Sequence, residues 1–179
     1  RVLWTNTSLH FDPKHGNGGS PILVGDRLIF TCDGTEDPSI AALNSRTGEL
    51  AWRTRRQVET SRKFSFGTPT ATPWGGGVQV VSPASGCAAA YDPVDGRDLW
   101  RVRHDGYSVI PKPVFGHGLV YLGTGFNTPV VLAIRPDGSG DVTDTHLQWS
   151  LRRGGGQTPS FLLDGNELRP AAVESRPLA

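Results

Sequence analysis

No run of apolar residues in this 179-residue chain approaches the roughly 20 needed for a helix to cross a membrane. Only two cysteines occur, Cys32 and Cys87, too few for a disulfide framework. They read as free, half-buried thiols. Neither sign of charge dominates: 18 basic against 17 acidic residues leave a net +1. That balance argues against a nucleic-acid footprint or an anionic-membrane patch. No Gly-x-Ser-x-Gly elbow is present, so nothing supports an α/β-hydrolase nucleophile. Helical periodicity is missing throughout.

What the chain does hold is a repeat. Leu43-Asn44-Ser45-Arg46-Thr47-Gly48-Glu49-Leu50-Ala51-Trp52 returns as Tyr91-Asp92-Pro93-Val94-Asp95-Gly96-Arg97-Asp98-Leu99-Trp100. A looser copy runs Ile134-Arg135-Pro136-Asp137-Gly138, an insertion, then Leu147-Gln148-Trp149, and a stub opens the chain as Val2-Leu3-Trp4. Four tryptophans thus fall at 4, 52, 100 and 149. Upstream of each turn a second phrase recurs at Ser20-Pro21, Thr68-Pro69, Lys112-Pro113 and Thr158-Pro159. After each Pro come a short strand, a turn of residues that accept positive φ, and a strand rich in Val, Ile, Phe or Tyr. A small apolar third strand and a fourth ending at Trp complete the unit. The 23 glycines and 14 prolines are dispersed, as a turn-rich all-β fold requires.

Four strands per ~40–50 residues is the signature of a β-propeller blade. The expected fold is therefore an all-β partial β-propeller: about three whole four-stranded blades plus partial blades at both ends. The blades are placed at about 20–54, 68–102 and 110–151, with the start of another at 158–168, inside one domain of residues 1–168. Residues 169–179 read as an irregular tail, with two prolines and no alternation, expected as a truncated or frame-shifted end. The tryptophans are expected between adjacent blades, where their area is best used.

These phrases resemble the repeat of pyrroloquinoline-quinone-type (PQQ-like) β-propellers. The likeness is to the non-enzymatic branch, similar to outer-membrane assembly lipoprotein propellers. The resemblance implies a parent ring of seven or eight blades, of which this chain is a fragment. It implies a scaffold that binds protein partners at the periplasm or cell envelope, with no cofactor. The alternative it carries is a fragment of a quinoprotein dehydrogenase. Enzymes of that branch hold their quinone with carboxylates, calcium and an adjacent cysteine pair, and this chain has no adjacent cysteines.

Accordingly no catalytic, cofactor-binding or metal-ligating residue is assigned. The stretches weighed and read as structural are these. His10, Asp12 and His15 lie in a Gly-rich connector. Asp33, Glu36 and Asp37 form a solvated hairpin loop. Arg53 to Lys63 form a solvated basic connection, with Phe64 and Phe66 entering the core. Asp137, Asp141 and Asp144 sit in a lengthened hairpin lacking a calcium-loop pattern. Arg152 to Gln157 form a basic connector without the flanking strand and helix of a phosphate loop. Tyr107 and Lys112 are placed near the axial funnel.

Overall fold

The structure is a computed structural model that describes residues 1–152 and 157–171. Residues 153–156 of the basic connector and 172–179 of the tail lie outside the described residues.

The first sheet runs β1 (Ile22–Val24), β2 (Arg27–Cys32), β3 (Ser39–Asn44) and β4 (Leu50–Arg55), each strand antiparallel to the next. The second uses β5 (Thr70–Trp74), β6 (Gly77–Ala84), β7 (Cys87–Tyr91) and β8 (Asp98–Arg103) in the same order. The third uses β9 (Val114–Gly116), β10 (Leu119–Gly123) and β11 (Val131–Ile134). The 138–146 insertion follows as β12 (Gly140–Asp141) and a one-turn helix, α1 (Thr143–His146). β13 (Leu147–Leu151) then closes the third sheet against β11. β14 (Phe161–Asp164) and β15 (Glu167–Pro170) form a final hairpin. The protein is thus all-β in four-stranded blades. The insertion, expected as a long hairpin, instead lays β12 parallel against the outer edge of β8, in the preceding blade.

Three meanders of this kind place the β2–β3-type loops, and the connectors 56–69 and 104–113 between these blades, at one end of the stack. The β1–β2 and β3–β4 turns lie at the other. First strands neighbour first strands, β1 beside β5 and β9 beside β14, so they are the inner strands.

The core lies between blades, not within them. Ile29, Ile40, Ala42 and Trp52 of the first blade meet Val80, Ala89 and Tyr91 of the second. The opposite face of the second blade sets Val81, Ala88, Ala90 and Trp100 against Val120, Leu122, Leu132 and Ile134 of the third. Burying one such indole contributes about 4–6 kcal/mol gross, as an upper bound.

The indoles of Trp4 and Trp52 also hold the next blade's polar turn, whereas Trp149 is 41% exposed. Trp4 Nε1–H donates to Ser45 O, and Trp52 Nε1–H donates to Pro93 O, both at 3.0 Å. Two residues on, Asn6 Nδ2 donates to Gly48 O and Thr54 Oγ1 donates to Gly96 O, both at 2.6 Å. Gly48 and Gly96 both sit at φ 75°. A Cβ on Gly96 would stand 2.5 Å from Trp52 Cε3, so the turn needs glycine for conformation and for space. The third copy keeps the link through an intermediary. Trp100 Nε1–H donates to Gln79 Oε1 (2.8 Å), and Gln79 Nε2 donates to Pro136 O (2.9 Å). Val142 of the insertion lies against Gly138, where the earlier copies place the indole.

Gln79→Met keeps the length and removes both bonds, stranding a buried indole N–H and a carbonyl. A loss of about 1–3 kcal/mol is expected, read as a shifted urea midpoint at constant slope.

Candidate functional site

The loop end carries most of the residues that sequence reading singled out, and the structure separates them into small partnerships. Asp12 accepts the Lys14 N–H (3.1 Å) and the Thr35 hydroxyl (3.0 Å), which hold its carboxyl below the usual range. It ties the first connector to the β2–β3 loop, where Thr35 N–H also donates to Asp12 O. His15 instead lies edge-on to Phe64, ring centroids 5.5 Å apart, and His10 is exposed. Among the described residues no three His, Cys, Asp or Glu side chains form a group able to hold a metal.

The acidic loop divides three ways. Asp37 pairs with Arg55 at 3.0 Å, and the Glu36 carbonyl accepts Lys63 Nζ at 3.2 Å. Asp33 departs from the solvated-turn expectation: its side chain is sealed, and its Oδ1 accepts Arg56 Nε at 2.6 Å. Arg56 departs likewise from the solvated basic connection. It crosses into the second blade, where it donates to Ser82 Oγ (2.7 Å) and Tyr91 OH (3.4 Å). Burial raises the Asp33 carboxyl to about 6, outweighing the attraction of Arg56, and Asp33 Oδ2 finds no donor. Burial depresses Arg56, but Asp33, Tyr91 and Cys87 together outweigh this and raise it overall. Sequence spacing held one signal of this: Arg56 stands four residues after Trp52, and His104 four after Trp100. His104 Nδ1 accepts the Gly106 N–H, and burial pushes the ring down to about 4, so it is neutral there.

What the loop end exposes is an aromatic and basic cluster. Phe64 and Phe66 do not enter the core as expected; both are half-buried, their rings 6.0 Å apart. Phe64 meets Tyr107 edge-on at 6.2 Å. The exposed Arg62 lies over the Tyr107 ring, 4.4 Å from its centroid, and donates to the Tyr107 hydroxyl. The mount is rigid. Tyr107 N–H donates to Asn127 Oδ1, Phe126 N–H donates to Tyr107 O, and a Cβ on Gly106 would collide with Thr124 O. Tyr107 therefore joins the cluster. Lys112 does not: its side chain is exposed, and its N–H donates to Ser160 Oγ near the last hairpin.

On the outer rim of the second blade Asp141 accepts from Thr143 and Arg103, which pull it down to about 2. Asp137 lies 3.5 Å from His146. These carboxylates serve local ties. Cys32 and Cys87 are free and buried, in different blades, with thiols pushed up to about 11 by burial. Neither an adjacent cysteine pair nor a matching carboxylate set is therefore available to a quinone and its calcium among the described residues.

A family model described as outer membrane protein assembly factor BamB matches residues 36–169. The chain belongs to this family. Solved structures with the same fold include BamB from Moraxella catarrhalis, at 16% identity and TM-score 0.56 over 84% of this chain. The quinohemoprotein alcohol dehydrogenase from Comamonas testosteroni aligns at 16% identity and TM-score 0.54 over 76% of this chain. The computationally designed Ika4 protein aligns at 15% identity and TM-score 0.57, over 94% of this chain and 89% of its own. This BamB-family chain spans 45% of the Moraxella protein and 21% of the dehydrogenase. No curated protein matches it. No helix among its described residues is long and apolar enough to cross a membrane.

Arg56→Ala leaves Asp33 buried without its cation, and a loss of about 3–5 kcal/mol at neutral pH is expected from chemical denaturation. The Asp33 carboxyl lies above its unfolded value of 3.8, so the folded state binds more protons between about pH 4 and 6. Its contribution therefore falls as pH rises through that window. His104 lies below its unfolded 6.5, so its contribution rises over nearly the same window. Subtracting Asp33→Asn from the parent stability curve isolates the first slope; a flat difference from pH 4 to 6 overturns the assignment.

Proposed function

We propose that this BamB-family chain is a stretch of a larger, non-catalytic β-propeller scaffold that holds a protein partner at the bacterial cell envelope. The observation that carries this reading is the loop-end cluster of His15, Phe64, Phe66, Tyr107 and Arg62. Tyrosine and arginine dominate the energetics of protein interfaces, and loops on a rigid frame present them at low entropic cost. Here Arg62 is already stacked and Tyr107 already pinned before any partner arrives. The family's outer-membrane description supports the envelope setting. A share of under half the Moraxella protein's length supports membership of a larger ring.

A second reading, a quinoprotein dehydrogenase fragment, is favoured by the fold likeness to the Comamonas enzyme. The donor set described above does not fit the quinone and its calcium, which supports the scaffold instead.

Two measurements test the proposal. The protein, immobilised, is compared with its Arg62→Glu, Tyr107→Ala double variant for capture from an envelope extract. Capture at least tenfold weaker by the double variant, with an unchanged melting temperature, is expected; equal capture removes the loop end from the interface. Added pyrroloquinoline quinone and calcium should give neither alcohol-dependent dye reduction nor a melting shift. Either signal overturns the non-catalytic reading.

A further inference from the structure

The outer edge of the second blade is occupied by the chain itself. β12 runs parallel to β8, Gly140 beside Trp100 and Asp141 beside Arg101. Val142 N–H donates to Arg101 O at 2.9 Å. Arg103 N–H donates to Thr143 Oγ1 at 2.9 Å, and Arg103 Nε donates to Asp141 Oδ2 at 2.7 Å. A four-residue phrase, Gly140-Asp141-Val142-Thr143, therefore reads this edge with two backbone groups, one carboxylate and one hydroxyl.

The first blade presents the same edge. Trp52, Arg53 and Arg55 stand 48 residues before Trp100, Arg101 and Arg103. Their ladder positions match as well. Arg53 faces Ala41 and Arg55 faces Ser39, as Arg101 faces Ala89 and Arg103 faces Cys87. In an antiparallel ladder alternate residues turn their amide and carbonyl away from the neighbouring strand. By this register, Arg53 O and Arg55 N–H point outward as Arg101 O and Arg103 N–H do. β4 is the terminal strand of its sheet among the described residues. The Arg55 side chain is 80% exposed. Asp37 touches it, but Arg103 shows that an arginine of this edge holds two carboxylates at once, Glu59 at 3.1 Å and Asp141 at 2.7 Å. β13 is also terminal, yet Ser150 stands where Arg53 and Arg101 stand, so its edge lacks the first charge.

We propose that the β4 edge of the first blade docks an extended acidic segment of a partner protein by parallel strand addition. The segment carries a carboxylate and, two residues on, a hydroxyl. Main-chain bonds supply the grip and Arg55 supplies the choice of an acidic sequence. The indole of Trp52 already covers Gly96, the place Val142 takes against Gly138, so the segment needs no apolar anchor at its third position. This surface is on the outer rim, apart from the loop-end cluster, and its test is independent of that reading.

The probe is a fluorescein-labelled peptide with this chain's own residues 138–144, Gly-Ser-Gly-Asp-Val-Thr-Asp. Anisotropy titration of the protein should saturate at a Kd of about 10–500 μM, and hydrogen exchange of the Arg55 amide should slow on saturation. Arg55→Glu, and a peptide with Lys for its first Asp, should each weaken binding at least tenfold, while the melting temperature of Arg55→Glu stays unchanged. No saturable binding below 5 mM overturns the proposal. So does binding that ignores Arg55→Glu, or slowed exchange confined to the Arg103 amide, which would mean the peptide displaces β12. Edge-to-edge dimers that exclude the peptide would also overturn it, assigning the edge to a second copy.

Discussion

A four-stranded sheet with apolar residues on both faces cannot stay dry by itself, and every other feature of this protein follows from that constraint. The second blade shows the satisfied state, its β6 and β7 buried on both faces between two neighbours. The indoles do double duty within it. Trp4 and Trp52 each pack between blades and satisfy a carbonyl of the following turn, so packing and polar accounting are met by one side chain, and Trp100 does the same with Gln79 as its intermediary. Position and register are then fixed together, because a blade that slips by one residue loses both.

The repeat was legible because it is enforced at conspicuous residues. Tryptophan, proline and turn glycine recur at one period, and only a stacked blade reuses them so. The partnerships at the loop end were not legible, since they depend on which residues of different blades face each other. Asp33 and Arg56 are 23 residues apart and read as two surface charges. Only the fold shows that one strand's end and the next connector converge behind Tyr91. Gln79 was equally silent, an ordinary polar residue in a strand until Trp100 and Pro136 appear on either side of it. The one-turn α1 escaped because four residues carry no period. Its placement is set by Val142 in the inter-blade core, not by helical preference.

The loop end combines a fixed frame with a presented surface. Connectors lie so close to the β2–β3-type loops that glycine is required at Gly106, and at Gly34 beside Asp12 O. Backbone this tightly apposed cannot shift without cost, so Arg62, Phe64 and Tyr107 are offered in one geometry. That is the physical content of a scaffold, and it separates this surface from the local ion pairs on the rim, which are exposed and individually weak.

The insertion has a mechanical meaning beyond its chemistry. By crossing from the third blade to the rim of the second, β12 straps those two sheets together on the outside, while among the described residues the first and second share their apolar core and the bonds of Trp52, Thr54 and Arg56 but no such outer strand. A ring under tension would therefore part at the unstrapped seam first, and thermal breathing of the blades would be concentrated there.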